Sequence, residues 1–418
     1  MNRIIAAMLA AGVCASAQAQ TGAALAGSPF TLEQALTAAR ATSPALEASR
    51  SGVTAAEAQR TVAGLRPNPS LDTMTENVTG SGMYSGLRSS ETTIAMAIPV
   101  ELGGKRSARI AVASAQLGRA SLDAVIAQAD LRLRVTQAYN EAVAAERRAG
   151  TAHDQVEIAE QGLRAARARV SAGRASPLEE QRAELVRLNA AGAADRADRS
   201  IKLAFDNLWR LTGQAASTLD EIWFDRIGST GPTRPIDTAA TLAAAAAQAD
   251  LATASAQVRL ARSQRVPDVT FTAGAKRLQA SSDTAAVFGV SVPLPLFNNG
   301  RASFDLASAQ RQQADAQRRV ALLDADREIA SAQAELANAA TTARNAAGPA
   351  LAAATEAARI ARIGYREGKF GQLDLLEAER ALSDTKATAI DALAAYHDTQ
   401  ARLERLVTPA PESTKDAR

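Results

Sequence analysis

The sequence predicts a mainly α-helical chain with a small β part, written as one unit used twice: helix, two strands, long helix, tip, helix. Three observations predict it. Similar stretches recur at a nearly fixed offset: 198 residues from Pro69 to Pro267, 194 from Pro99 to Pro293 and 195 from Gly173 to Gly368. Between Gly104 and Gly173 nothing clearly breaks a helix, with Gly150 the one candidate break, and between Arg301 and Gly368 the strong break is Gly348-Pro349. Ahead of each long run lie two segments with strand-like alternation and a polar, glycine-bearing loop between them.

The chain begins "MNRIIAAMLAAGVCASAQAQ": Arg3, an apolar stretch, then small residues through Ala17-Gln18-Ala19. That pattern is a secretory signal over 1–19, cleaved after Ala19. Cys14 is the only cysteine. It also admits a second reading, as a lipid attachment site, although Val13 fits poorly before a modified cysteine. If the signal is removed whole, the mature chain has neither cysteine nor disulfide. Past the signal we find no apolar run of the ~20 residues that a membrane-spanning helix needs. Any crossing of a membrane is left to strands.

The first repeat covers 20–212. Its strands are expected at about 69–79 and 89–98, joined by "GSGMYSGLR"; those of the second repeat, 238–407, fall at about 268–277 and 284–292, joined by "LQASSD". Each is about ten residues, the length a tilted strand needs to cross a bilayer. Ile94, Met96 and Ile98 share one face, as do Val269, Phe271, Ala273 and Ala275. The residues alone equally allow edge strands of an ordinary small sheet. Each pair leaves its second strand through a proline seam: Pro99, Gly103 and Gly104 in the first half, Pro293, Pro295, Asn299 and Gly300 in the second. Proline lacks the N–H that would continue a ladder and fixes φ where the chain redirects. The repeat pairs Gly104-Lys105-Arg106 with Asn299-Gly300-Arg301.

A helix of nearly 70 residues is roughly 100 Å long, so it must pack lengthwise against others. Its Ala-rich surface with sparse Leu, Val and Ile suits close coiled-coil-like contacts. Gly150 and Gly348-Pro349 mark nearly equivalent places for a bend. The long helices reverse at Gly173-Arg174-Ala175-Ser176 and at Gly368-Lys369-Phe370-Gly371, where glycine permits a left-handed backbone. Just past the second turn, Asp374 and Glu377 are three apart and share one helix face. The first tip has Glu179 in place of Asp374, but Arg182 in place of Glu377. In isolation such a pair is an ordinary solvated face. Trp209, near the helix end at Gly213, is expected to pack inward with Leu208 and Leu211. Residues 213–237 link the halves, and 408–418, polar with two prolines, are expected to be a disordered tail.

Other chemistry has little support. The formal net charge is +3, with both signs interspersed, which is no nucleic-acid footprint. His153 and His397 stand alone, without metal-ligand spacing. There is no phosphate loop, nucleophile motif or His–carboxylate constellation, so neither an enzyme nor a cofactor is expected.

The duplicated plan, "VSVPLPLFNNGRA" after a strand and "YREGKFGQLDLLEAERAL" at a tip resemble the TolC-type outer-membrane efflux factors. Pro-Leu-Pro-Leu-Phe is most similar to the heavy-metal, cobalt–zinc–cadmium subgroup. The resemblance implies a homotrimer in the outer membrane of a Gram-negative bacterium, with a twelve-stranded barrel in lipid and a long periplasmic helical tunnel. Its implied partners are a periplasmic adaptor and an inner-membrane pump of the resistance–nodulation–division class. It also implies that Asp374 and Glu377 line the periplasmic aperture, that the two tip turns meet the adaptor, and that 213–237 forms a mid-tunnel girdle. Four strands close no barrel, since the smallest bacterial ones have eight, so strands in lipid demand oligomers in any case. Two alternatives stand beside the metal duct. One is a drug-efflux or type I secretion duct on the same scaffold; the other is a soluble periplasmic coiled-coil scaffold without a barrel.

Overall fold

A computed structural model describes residues 29–216, 218–228 and 236–411. The expected signal, Cys14 and 412–418 lie outside the described residues. The main elements are α1 (Leu32–Thr42), α2 (Pro44–Ala63), β1 (Ser70–Glu76), β2 (Glu91–Val100), α3 (Lys105–Ser171), α4 (Pro177–Thr212), α5 (Leu242–Ser263), β3 (Val269–Leu278), β4 (Thr284–Ser291), α6 (Arg301–Asn345), α7 (Leu351–Arg366) and α8 (Gln372–Leu406). All four expected strands are present, within about three residues at each end.

Helix α3 runs 67 residues straight through Gly150. The expected break there is absent: one glycine costs only about 1 kcal/mol against alanine, which packing along the helix outweighs. The second break is real. Helix α6 ends at Asn345, a π turn spans Ala346–Ala350, and Gly348 leaves helical geometry at φ −101°, ψ −107°. Pro349 cannot donate the N–H that would bridge this turn. Contrary to the expectation of no such run past the signal, α3 is long enough and, over one 18-residue stretch, apolar enough to cross a membrane by length and composition alone. It is seated between α2, α4, α5 and α8 rather than standing alone.

The elements form one layer. The strands are hydrogen-bonded in the order β1-β2-β3-β4, all antiparallel. Below them α2 packs on α3, α3 on α5 and α5 on α6; toward the tips, α4 packs on α3, α3 on α8 and α8 on α7. Helices α2 and α4 therefore edge one side of the layer, and α6 and α7 the other.

The register sorts the sheet into two faces. Leu71, Ile94, Met96, Ile98, Phe271, Phe288 and Val290 lie on one face, each at least 48% exposed. The other carries Asp72, Glu76, Glu91, Thr93 and Lys276, with Met74, Leu278 and Val287 as its large apolar side chains. Lys276 Nζ is 3.0 Å from Glu76 and also pairs with Glu91. An ordinary sheet would cover its apolar face with helices; here, among the described residues, no helix packs on it. Pro99 sits inside β2, opposite Thr270, rather than beyond the strand. It is tolerated there because β1 starts at Ser70, opposite Ala97, leaving one side of Pro99 unpaired. Gly104 and Gly300 both cap their long helices at φ +71°, so they are the structural equivalents, and the pairing of Gly104 with Asn299 is corrected by one residue.

The core lies mid-length, where α1, α3, α4, α8 and the linker meet around Tyr139, Val143, Leu208, Phe224 and Leu393. Tyr139 donates its hydroxyl to the Phe30 carbonyl at 2.6 Å and accepts from the Asp220 N–H at 3.0 Å. Burial pushes its pKa up to about 12. The linker is thus part of the core, with Trp223 stacked edge-on to His397 at 4.5 Å between centroids. Gly213 closes α4 at φ +69°, as expected, but Trp209 is 51% exposed and does not pack. Leu208 holds the buried stripe with Ala204 and Thr212, and the next residue points about 100° away. The start of the tail is held, contrary to expectation: Ala410 N–H donates to the Ala240 carbonyl at 2.8 Å, beside a bridge between Thr241 and Pro409.

Candidate functional site: the helical tips

Each tip is built by local backbone chemistry. At the first, Gly173 is left-handed at φ +68°, and Arg174 N–H donates to the Arg169 carbonyl at 2.8 Å, satisfying the end of α3. After Ala175, Ser176 caps α4 by accepting the Leu178 N–H at 3.3 Å, and Pro177 occupies the first helical position. At the second tip, Gly368 is left-handed at φ +72°, and Lys369 N–H donates to the Gly364 carbonyl at 2.8 Å.

Phe370 folds back on its own hairpin and is 41% exposed. Its ring lies so close over Gly364 that a Cβ there would come within 2.1 Å of the ring. Gly364 is therefore required by the tip, a role no turn signal in the sequence announced. Gly371 precedes α8, and its N–H donates to Asp374 Oδ2 at 2.9 Å. Asp374 thus caps the helix with one oxygen while remaining exposed; Glu377 is exposed as well. Among the described residues neither carboxylate is in an ion pair.

Glu179 does not match Asp374 in role. Its carboxylate accepts from the Tyr365 hydroxyl at 3.1 Å and lies 3.7 Å from Arg169. Its carbonyl accepts from Gln372 Nε2 at 3.4 Å. The Arg169 guanidinium stacks over the Tyr365 ring, 5.1 Å from its centroid. Burial raises the Tyr365 pKa, so the hydroxyl stays a donor. One tip is thus tied to the other through Glu179, and the unpaired acids are left to the second tip.

A further pair escaped the sequence reading. Glu379 on α8 is 6% exposed, and both its oxygens are held by the guanidinium of Arg362 on α7, Nη2 to Oε2 at 2.7 Å. Glu379 is two residues past Glu377, about 160° around the helix. Fixing it toward α7 turns Glu377 away from α7.

Neither histidine joins the tips. His153 is exposed, with Nε2 2.9 Å from Asp198. His397 is buried in the core at 2.8 Å from the Phe224 carbonyl, and burial lowers its pKa. Among the described residues no three His, Cys, Asp or Glu side chains are grouped to hold a metal ion. The seams hold structure rather than chemistry. Gly103, at φ +69°, is pressed against Val266, and the side chain of Asn299 accepts the Arg301 N–H at 3.1 Å. Pro293 and Pro295 lie beyond the end of β4.

A sheet with one uncovered apolar face and one polar face, continued by helical hairpins of extreme length, defines a membrane channel with a long extramembrane conduit. The chain belongs to the outer membrane efflux protein family, whose model matches residues 35–214 and 239–408. It is therefore an outer-membrane protein, with a large periplasmic helical part. It is 30% identical over 410 residues to the cobalt-zinc-cadmium resistance protein CzcC of Cupriavidus metallidurans, covering 94% of this chain and 95% of that one. It is 31% identical over 290 residues to the nickel and cobalt resistance protein CnrC of the same organism, covering 69% and 68%. Among solved structures, a membrane protein from Pseudomonas aeruginosa matches with a TM-score of 0.77 at 20% identity, over 91% of this chain and 90% of that one. CusC matches with 0.77 at 19% identity over 91% and 92%, and VceC of Vibrio cholerae with 0.74 at 22% over 91% and 96%. These likenesses show the fold.

Proposed function

We propose that three copies of this chain close into a passive exit duct for divalent heavy-metal cations, docked on a periplasmic adaptor and an inner-membrane pump of the resistance–nodulation–division class. The observation that carries self-assembly is where the helices expose large apolar side chains. Apart from Leu373 at the tip end of α8, they fall on the edge helices: Val62 on α2, Leu178, Leu185 and Leu188 on α4, Val320 and Leu323 on α6, Ile360 and Ile363 on α7. The inner helices α3 and α5 expose none among the described residues. An edge of this kind needs a partner edge, and another copy offers the complementary one. In lipid the free sides of β1 and β4 demand the same closure, because unpaired backbone groups are too costly there.

Three copies give twelve strands, and the outward apolar face then meets lipid. The cation reading rests on the metal-resistance relatives and on the second tip. Asp374 and Glu377 would there form two stacked rings, whose field favours cations. The tip turns Gly173–Ser176 and Gly368–Gly371 are the exposed ends on which an adaptor would sit. The helices supply the conduit and the pump supplies the drive, with metal choice left to the pump.

The test is complementation of a strain lacking its metal-efflux outer-membrane channel, with cell-associated zinc, cobalt and cadmium measured together with tolerance to dyes and detergents. Restored metal export without restored dye tolerance supports the reading. The reverse result reassigns the chain to drug efflux.

A further inference from the structure

The seam between β4 and α6, residues 292–300, contrasts with its partner between β2 and α3. The first seam is gripped on both sides. Toward α2, Arg106 Nε donates to the Gly64 carbonyl at 2.5 Å, and Arg109 Nη2 to the Leu65 carbonyl at 3.0 Å. Toward α5, Leu102 N–H donates to Asp268 Oδ1 at 3.1 Å, Lys105 Nζ lies 2.7 Å from the same oxygen, and Gly103 abuts Val266. The first seam thus occupies the gap between two stretches that lead from a helix into a strand.

The second seam has one such neighbour: Gly300 abuts the Arg265 side chain. Among the described residues no second lead-in meets it, and Leu294, Leu296 and Phe297 stand 75% or more exposed. The opposite edge of the layer shows the reverse vacancy. The stretch leading from α2 into β1 is gripped by the first seam on one side, while Val62, Leu65 and Leu71 are 55–69% exposed. Because β4 ends and β1 begins at the same end of the sheet, the two open surfaces stand at the same level.

We propose that Leu294, Leu296 and Phe297 clasp Val62 and Leu65 of a second copy of this chain, repeating between copies the grip the first seam makes within one. The inference rests on the self-assembly reading and goes beyond it, in assigning the Pro-Leu-Pro-Leu-Phe stretch as an inter-copy clasp rather than a lipid-facing anchor. The internal repeat selects this occupant. Within the chain, what lies against a seam on that side is a helix-to-strand lead-in, and the one left without its seam is 64–69 of a neighbour. The chemistry of the two clasps differs. The intrachain grip is ionic and hydrogen-bonded, whereas the open pair is apolar on both sides, as suits surfaces that must meet after each chain has folded.

The test uses the full chain in outer-membrane preparations, in a Cys14→Ser background. A Leu65→Cys, Phe297→Cys double variant treated with a short bis-maleimide should give covalently linked oligomers on a denaturing gel, and each single variant only monomer. Should that variant fail to reach the membrane, Val62→Cys with Leu294→Cys takes its place. A spin label on Phe297→Cys should be shielded from dissolved oxygen and from a water-soluble nickel complex alike. Assembled oligomers, seen by native mass, that do not cross-link at either pair would overturn the clasp. So would a label readily reached by oxygen, which means lipid covers the seam. A wild-type chain that stays monomeric would sink the self-assembly reading itself.

Discussion

The Tyr365 hydroxyl donates to the Glu179 carboxylate at 3.1 Å, joining residues 186 positions apart and holding the two helical tips together. A hydrogen bond to a charged group contributes about 1.5–3 kcal/mol when buried. With Tyr365 only half-buried, about 1 kcal/mol is the fitting scale here. Tyr365→Phe should loosen the contact, and single-channel recording in planar bilayers should show an open fraction raised roughly fivefold. Glu179→Gln should act in the same direction and more strongly, since it also loses Arg169. Unchanged gating in both would remove the tie from any role in the aperture.

Glu377→Ala removes an unpaired charge without touching any hydrogen bond in the structure. The preference for potassium over chloride should fall with helix content unchanged. Asp374→Ala should lower it too, but also frees the Gly371 N–H and costs about 1 kcal/mol at the start of α8. The double variant should give larger openings. If it keeps both the selectivity and the conductance of the wild type, the aperture lies elsewhere.

Gly364→Ala places a methyl group where the Phe370 ring sits. The ring must leave, at a cost of about 1–3 kcal/mol for such overpacking. Amide exchange over Tyr365–Gly371 should quicken, and adaptor binding by surface plasmon resonance should weaken. Adding Phe370→Ala should restore slow exchange without restoring adaptor binding, if the ring itself is part of the contact.

His397 is buried neutral, and its pKa is depressed below the ordinary 6.5. The unfolded chain therefore binds more protons below that pH, so stability is full above about 6.5 and falls as pH drops from there toward the folded value. Thermal unfolding in detergent, followed by circular dichroism, should show a midpoint that drops as pH falls below 6.5. His397→Gln should flatten that part of the profile. A wild-type midpoint that stays level below pH 6.5 would mean that the fold does not depress the His397 pKa.

How much of this was open to a reader of the sequence differs by feature. The strand pairs, the tips and the break at Gly348-Pro349 were legible, since alternation, left-handed glycine and proline act on a chain within a few residues. Gly150 misled because its small helix penalty is set against contacts that run the length of α3. Trp209 misled because an aromatic suggests a core, while the buried stripe of α4 is set by Leu208.

By itself, then, the sequence determined the duplicated unit, its strands and its turning points, because each rests on local backbone preference. The tertiary structure alone decided which acids are tied and which are free. Glu179 and Asp374 follow equivalent turns, yet one meets Tyr365 while the other stays exposed. It also decided that Glu379 is gripped by Arg362 and that the second seam lacks the neighbour the first one has. Such roles depend on how a helix is rotated and on what lies beside it, and the partners come from segments far apart in the chain.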